Sequence, residues 1–253
     1  MLRTRVIPCL LLQKGGLVKT VKFKDPKYVG DPINAVRIFN EKEVDELVFL
    51  DISATPAGKE PNFDLLAAIA SEAFMPFSYG GGVTRLDQIK RLYALGVEKV
   101  IINTAAACTP ILVSEATSIA GSSSVVVSID VRRSWLDKYT VCTQGGQHDT
   151  NRDPVQYAQE MERLGAGELL LNSIDRDGTM AGYDLELIGR VAEAVSVPVV
   201  AVGGAGELIH FRQAVDKGAS AVGAGSLFVF HGKHRAVLIT YPEYAQLEKV
   251  FMK

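Results

Sequence analysis

Pro198-Val199-Val200-Ala201-Val202-Gly203-Gly204 decides the fold, because Pro76-Phe77-Ser78-Tyr79-Gly80-Gly81-Gly82 has the same pattern earlier in the chain. Each stretch is a short apolar run that ends in glycines. The two stretches lie 122 positions apart (198 − 76), and Glu46–Leu50 precedes Glu168–Asn172 by the same distance (168 − 46). The second half of the chain therefore repeats the first half.

A third pair of strand-like segments extends the repeat and shows where its symmetry is broken. Val6–Leu11 matches Val125–Asp130 at the slightly smaller offset of 119 (125 − 6). This alignment places Asp130 opposite Leu11. The duplicated scaffold thus carries one carboxylate where its symmetry would allow two.

Apolar runs alternate with amphipathic stretches along the whole chain. The runs are rich in Val, Ile and Leu, as in parallel strands that are buried on both faces. We predict strands at Arg5–Leu11, Glu46–Asp51, Met75–Tyr79, Val97–Ile102, Ser124–Asp130, Gly167–Asn172, Val197–Val202 and Ser220–Ala224. We predict helices that include Asn62–Ala73, Arg85–Leu95, Pro110–Ala120, Asp153–Leu164 and Leu185–Ala194.

Eight strand–helix units at roughly 30 residues each predict an α/β protein, a (β/α)8 TIM barrel with an internal two-fold half-barrel repeat. An open doubly wound sheet is the alternative, and the four-plus-four repeat favours closure. We expect one domain over residues 1–253. Asp153-Pro154 and Thr109-Pro110 each predict a helix start, with an N-cap residue followed by a first-turn proline.

Composition excludes several classes of function. The chain has 253 residues, 47% of them hydrophobic, and a formal charge of −2, which provides no basic surface for nucleic acid. No apolar run reaches the roughly 18 residues that a membrane span needs, and no signal peptide is apparent. Cys9, Cys108 and Cys142 form no disulfide or metal pattern, which predicts reduced thiols and a cytoplasmic protein. His231 and His234 lack a third ligand, so we expect no metal and no cofactor.

Polar and glycine residues follow the predicted strands on the face where barrels carry their active sites. Glycine lets backbone N–H groups approach an anion closely, and Asn, Thr and Ser add donors. The pattern predicts two phosphate sites on opposite sides of the barrel mouth, and tight turns without a ligand are the alternative reading. The candidate residues are Gly81, Gly82, Asn103 and Thr104 in the first half, and Asp177, Gly178, Gly203, Gly204, Gly225 and Ser226 in the second.

Two carboxylates end strands at the same rim. Asp130 ends the fifth predicted strand and Asp51 ends the second. Each is a candidate general acid or base, and a structural carboxylate that caps a loop is the alternative. Leu11 cannot transfer a proton.

A second set of charges lies at strand starts, which line the bottom of a barrel. Buried charges persist when they are paired, so two cations and two anions here predict a ring of ion pairs. The ring is either a plug that fixes barrel geometry or a gate over the axial interior. Its members are Arg5, Glu46, Lys99 and Glu168.

These residues occur in a pattern that resembles the cyclase subunit of imidazole glycerol phosphate synthase, the HisF family. The resemblance covers nearly the whole chain, and the Ser-Ile-Asp-Arg-Asp-Gly-Thr stretch is its most specific motif. The matching stretches are Asp45–Ile52, Gly80–Gly82, Ile102–Ala106, Ser173–Thr179, Gly182–Asp184 and Gly203–Gly206.

The resemblance implies a (β/α)8 barrel that receives ammonia from a glutaminase docked at its bottom face and passes it along the barrel axis. It implies that the charged ring is a gate, and that the two glycine-containing regions bind the phosphates of a small-molecule substrate. Lys19 matches a lysine of the family's mobile first loop, which helps to close over the substrate.

The family's ring closure uses two aspartates, and one of them is replaced here. Asp130 matches one aspartate, whereas Leu11 stands in Cys9–Gln13 where the family reads Cys-Leu-Asp. A positioned acid or base contributes about 10²–10⁴ in rate, so the replacement removes a large part of the cyclase chemistry. The Pro8–Leu12 opening resembles a divergent branch that is linked to acetamidino modification of nucleotide-linked sugars in surface polysaccharide synthesis. In that branch a separate ATP-dependent amidotransferase activates the sugar amide.

Three functions follow from these patterns. The first is an ammonia-conducting subunit for acetamidino formation. The second is a working cyclase and lyase of histidine biosynthesis, with Asp51 or water in place of the lost acid. The third is a non-catalytic scaffold that activates a glutaminase.

The segment Arg132–Asn151 predicts a hairpin-like insertion over the active face, in contact with substrate or with a third protein.

Overall fold

Eight parallel strands close into a barrel in the computed structural model, which describes residues 4–232 and 234–252. They are β1 Arg5–Gln13, β2 Leu47–Asp51, β3 Phe77–Gly80, β4 Lys99–Ile102, β5 Val125–Arg133, β6 Glu168–Ser173, β7 Val199–Val202 and β8 Ala221–Ala224. Each strand pairs with its neighbours in chain order, and β8 pairs with β1 to close the ring. The predicted (β/α)8 fold is confirmed.

Helices follow the strands and cover the outside of the barrel. They are α1 Pro32–Glu41, α2 Phe63–Glu72, α3 Leu86–Ala94, α4 Ile111–Ala120, α5 Pro154–Arg163, α6 Leu185–Ala192, α7 Leu208–Asp216 and α8 Tyr244–Phe251. Asp153 caps α5 as predicted, because its side chain accepts from the N–H groups of Val155 and Gln156. The predicted Thr109 cap is wrong, since Pro110 holds the N-cap position of α4 without a side-chain bond.

Apolar side chains on the barrel strands face two separate regions. Those that point outward pack against the helices and form the larger core. Those that point inward form a smaller cluster across the axis, and most of them are almost completely buried. This inner cluster consists of Ile7, Val48, Ile101, Val126, Leu170, Val200, Val202 and Ala221. The interior at this level is therefore packed and apolar, as expected for a barrel of eight strands.

Two hairpins extend the upper face of the barrel. Gly16–Val21 turns back from β1 and pairs with Lys24–Gly30. Tyr139–Thr143 pairs with the extended end of β5 and also with His148–Asp149, so the predicted hairpin insertion is present. Within the described residues, no helix has the length and apolar character needed to cross a membrane.

Candidate functional site

A cavity of about 650 Å³ opens where the carboxyl ends of the eight strands meet. Its wall is formed by residues from every strand end and from the first hairpin. All the side chains and glycines that we predicted for substrate binding and catalysis border it, namely Lys19, Asp51, Gly81, Gly82, Asn103, Thr104, Asp130, Asp177, Gly178, Gly203, Gly204, Gly225 and Ser226. The structure thus brings the two half-barrel sets to one cavity, while their chemical roles stay predictions.

Asp130 is buried at the wall of this cavity, near the end of β5. Its Oδ2 accepts a hydrogen bond from Asn103 Nδ2 at 3.2 Å, and its Oδ1 accepts one from Asn172 Nδ2 at 3.3 Å. Burial raises the pKa of Asp130 to about 7, although the Asn172 hydrogen bond works in the opposite direction. A carboxyl group with this pKa is suited to exchange a proton near neutral pH.

Asp51 has a different environment. Its Oδ1 accepts three hydrogen bonds, from the backbone N–H of Ser53, from the Ser53 hydroxyl and from the N–H of Ala54, at 2.7–3.0 Å. This arrangement caps the turn that follows β2, which agrees with the structural alternative. Leu11 also borders the cavity, so an isobutyl group occupies the β1 position that faces the site.

The glycines of the two halves occupy equivalent tight turns. Gly82 and Gly204 are 122 positions apart (204 − 82) and have φ angles of 69° and 117°. A Cβ atom would lie 2.4 Å from Lys59 O at Gly82, and 2.2 Å from Gly182 O at Gly204. Backbone packing alone requires glycine at both places. Phosphate binding at these turns remains a prediction.

Asn103-Thr104 and Gly225-Ser226 are also equivalent, because each pair begins a short helix after β4 or β8. The Ser226 hydroxyl is buried and has no hydrogen-bond partner among the described residues. Buried polar groups are normally paired, so this hydroxyl is available to a ligand. Thr104 Oγ1 instead accepts a hydrogen bond from the backbone N–H of Gln144, which comes from the insertion.

Lys19 lies in a strand of the first hairpin, where the sequence predicts a loop. Its ammonium group is buried and pairs with Asp177 Oδ1 at 2.7 Å, while Thr20 Oγ1 donates to Asp177 Oδ2 at 2.9 Å. The backbone N–H of Lys22 donates to Asp177 O at 2.9 Å. The first hairpin is therefore fastened to the turn after β6, and it covers that side of the cavity.

The four charges at the bottom of the barrel form a closed ring of ion pairs. The Arg5 guanidinium lies 2.5 Å from a carboxylate oxygen of Glu46 and also pairs with Glu168. The Lys99 ammonium lies 3.2 Å from Glu46 and 2.8 Å from Glu168. Burial alone would lower the pKa of Arg5, but the hydrogen bond and charge of Glu168 raise it, with help from Glu46. The pKa of Arg5 is therefore raised above its ordinary value.

The apolar layer separates this ring from the cavity. Every second residue of β6 lies on the same face of the strand. On this face Glu168 belongs to the ring, Leu170 to the apolar layer and Asn172 to the cavity wall. An axial route would pass the ring first and the apolar layer next.

Among the described residues, no group of three His, Cys, Asp or Glu side chains is placed to hold a metal ion.

Sequence reasoning missed Asn172 as a part of the site, although it predicted the insertion over the active face. Asn172 ends the sixth predicted strand, and it pairs with Asp130 on the neighbouring fifth strand. Its position at a strand end was therefore the signal that could have identified it. The turn of the insertion was recognisable from its two adjacent glycines, and Gly145 and Gln147 both border the cavity.

The fold and site define a (β/α)8 barrel protein with a cavity at the carboxyl ends of its strands, bordered by the carboxylate of Asp130 and the amides of Asn103 and Asn172. The family model for histidine biosynthesis proteins matches residues 5–235. A Pseudomonas aeruginosa protein provisionally named imidazole glycerol phosphate synthase subunit hisF2 is 54% identical, over 98% of this chain and 99% of its own. A provisionally named HisF subunit from Leptospira borgpetersenii is 49% identical over 99% of this chain and 100% of its own.

A third relative carries the HisF name without qualification. It is the imidazole glycerol phosphate synthase subunit HisF of Streptomyces coelicolor, which is 43% identical over 90% of this chain and 91% of its own. The chain belongs to the HisF family of imidazole glycerol phosphate synthase cyclase subunits.

Proposed function

We propose that this chain is an ammonia-conducting HisF-type subunit that works with a glutaminase docked at the bottom face of the barrel. The observation that carries the proposal is Leu11, which borders the cavity where a second acid–base group would be needed for ring closure. Asp130 remains buried and poised for proton exchange, so the site has one proton carrier in place of two. Delivery of ammonia needs no second carrier.

The charged ring supports an axial route from the bottom face. Its two cations and two anions are each paired twice, so the ring can open only when a partner protein supplies replacement contacts. Arg5 is the most accessible member, with 31% of its side chain exposed. A glutaminase seated over Arg5 would be able to displace it and admit ammonia to the barrel interior.

For the acceptor we propose the acetamido group of a nucleotide-linked sugar, which becomes an acetamidino group. A separate ATP-dependent amidotransferase would activate the amide oxygen as a leaving group, and the ammonia nitrogen would replace it. The names of two relatives, hisF2 and hisF3, support a role separate from a first HisF copy. We propose that this reaction serves surface polysaccharide synthesis in the cytoplasm.

The test is complementation of a histidine auxotroph, combined with an assay of the purified complex. We expect the gene, expressed with its glutaminase, to leave the auxotroph without growth. We also expect the complex to transfer nitrogen from labelled glutamine to an acetamido sugar nucleotide when the amidotransferase and ATP are present. Growth of the auxotroph with normal cyclase turnover would overturn the proposal.

A working cyclase and lyase is the second candidate, because Asp130 and both half-barrel glycine turns border the cavity. In this case the family's ribulosyl substrate, mixed with the chain and its glutaminase, should release the aminoimidazole carboxamide ribotide. A chain that fails to bind this substrate excludes the candidate.

A non-catalytic scaffold that only activates the glutaminase makes a third prediction. Under that hypothesis, Asp130→Asn leaves product formation unchanged. A tenfold or larger decrease argues against it.

A further inference from the structure

Asn172 has a buried polar atom that no part of the described protein uses. The residue is 9% exposed, and its Nδ2 donates to Asp130 Oδ1. This bond uses the nitrogen of the amide, and Oδ1 has no hydrogen-bond partner among the described residues. A buried acceptor without a donor is unfavourable, so such an atom at a cavity wall points to a donor supplied from outside the chain.

This oxygen lies beside Gly203 at the wall of the cavity. A Cβ atom on Gly203 would lie 2.6 Å from Asn172 Oδ1, so glycine is required beside this oxygen, which is itself almost completely shielded from solvent. Both residues border the cavity. Asn172 therefore stands beside Asp130 at the wall of the space that a small molecule would enter.

The chemistry of the surrounding groups specifies the kind of ligand. Asp130 and the free oxygen of Asn172 are both acceptors, and they are neighbours through one hydrogen bond. An anion would be repelled by Asp130, whereas a nitrogen with two or more N–H groups satisfies both acceptors at once. The position also lies on the β6 face that continues from Glu168 and Leu170.

We propose that Asn172 and Asp130 form the receiving site for ammonia where the axial route meets the cavity. Asn172 is a positioning residue, whose Oδ1 accepts one N–H while Asp130 binds the same nitrogen. This inference rests on the proposed ammonia route and adds to it the residue that holds the nitrogen at its exit.

The proton balance of the site is simple. Protonated Asp130 gives its proton to ammonia, which produces a carboxylate and an ammonium ion held between two acceptors. When the acceptor carbon is in place, the proton returns to Asp130 and the nitrogen lone pair becomes free to attack. The pKa of Asp130, raised to about 7 by burial, allows this exchange in both directions near neutral pH.

The test uses the full chain without its glutaminase, and the probe is ammonium chloride. The carboxyl carbon of Asp130 is followed by 13C NMR at pH 8, with tetramethylammonium chloride, which has no N–H, keeping the ionic strength constant. We expect a saturable shift with ammonium, a tenfold or larger rise in the half-saturation concentration for Asn172→Leu, and recovery with Asn172→Thr, which keeps an acceptor.

The outcomes distinguish a failure of the Asn172 ammonia site from a failure of the proposed ammonia route. Equal ammonium binding in wild type and Asn172→Leu would overturn it, as would a response no larger than that to tetramethylammonium. Saturable binding of acetamidinium without binding of ammonium would also overturn it, because the site would then hold an amidine. A circular dichroism spectrum like that of the wild type confirms that each variant is folded. None of these measurements depends on whether a glutaminase docks.

Discussion

Leu11 and Asp130 border the same cavity from strands that lie on opposite sides of the barrel, β1 and β5. They are also the residues that the internal repeat places opposite each other. The two positions differ chemically, because the Asp130 carboxyl group can exchange a proton and the Leu11 side chain cannot.

Restoring a carboxylate at Leu11 tests this relationship directly. We expect Leu11→Asp to raise ring-closure activity on the ribulosyl substrate by about 10²-fold or more, since a positioned acid or base contributes that much. The measurement is product release by the purified complex with its glutaminase. Leu11→Asn is the matched control, because it has the same size but does not transfer a proton. Equal activity in the two variants would show that the lost acid is not the limiting difference.

The burial of Asp130 predicts a pH dependence of stability. The pKa of Asp130 is about 7 in the folded chain and near 3.8 when solvated, so between these values the folded state holds a proton that the unfolded state has lost. Its contribution to stability is complete below pH 4 and is lost as the pH rises through 7. The loss is on the order of 2–4 kcal/mol.

Urea unfolding at several pH values measures this effect. We expect the difference in unfolding free energy between Asp130→Asn and wild type to shift in favour of the variant as the pH rises from 5 to 8. A constant difference over this range would mean that Asp130 titrates at an ordinary pKa.

The charged ring predicts strong coupling between its members. In Lys99→Met, Arg5 is the remaining ring cation for Glu46 and Glu168. Removing one partner of a buried ion pair lowers the free energy of unfolding by about 3–5 kcal/mol. Adding Glu168→Gln removes one of the uncompensated charges, so we expect the double variant to lose less stability than the sum of the single variants. Urea unfolding of the four proteins provides the coupling energy.

The exposed pair of Arg37 and Glu72 is the control for the ring. Arg37→Met should have little effect on the free energy of unfolding, because water already solvates both charges. Additive effects at Lys99 and Glu168 would show that the ring is four separate surface charges, and would remove a physical basis for a gate.

The sequence predicted the barrel because buried parallel strands appear as apolar runs and the repeat fixed their number. Most boundaries agree within two residues, as for Met75–Tyr79, which is observed as Phe77–Gly80. Residues at strand ends were predictable as a group, since all carboxyl ends meet on one face.

What the sequence did not predict depends on long-range geometry. Lys19 is buried because it pairs with Asp177, which is 158 positions away. The free oxygen of Asn172 follows from its bond to Asp130, across 42 positions. No local pattern encodes either contact. Thr109 failed as a cap because Pro110 itself takes the N-cap position.

The burial of Lys19 leads to a prediction about the first hairpin. Its ion pair with Asp177 has side-chain exposures of only 6% and 11%, so removing one partner leaves a buried charge uncompensated. Lys19→Met leaves Asp177 with a hydrogen bond from Thr20 and no cation, and we expect the hairpin to detach from the turn after β6. Amide hydrogen exchange in Gly16–Val21 and Lys24–Gly30 should rise tenfold or more, while the barrel strands keep their protection.

Lys27→Met is the matched control for the hairpin, because Lys27 is exposed on the same hairpin. Its exchange should equal that of the wild type, since solvated charges contribute little to local stability. If Lys19→Met left hairpin exchange unchanged, strand pairing alone would hold the hairpin, and the pair with Asp177 would be unnecessary for closure. Faster exchange confined to Lys19→Met would instead identify this ion pair as the contact that holds the hairpin against the turn after β6.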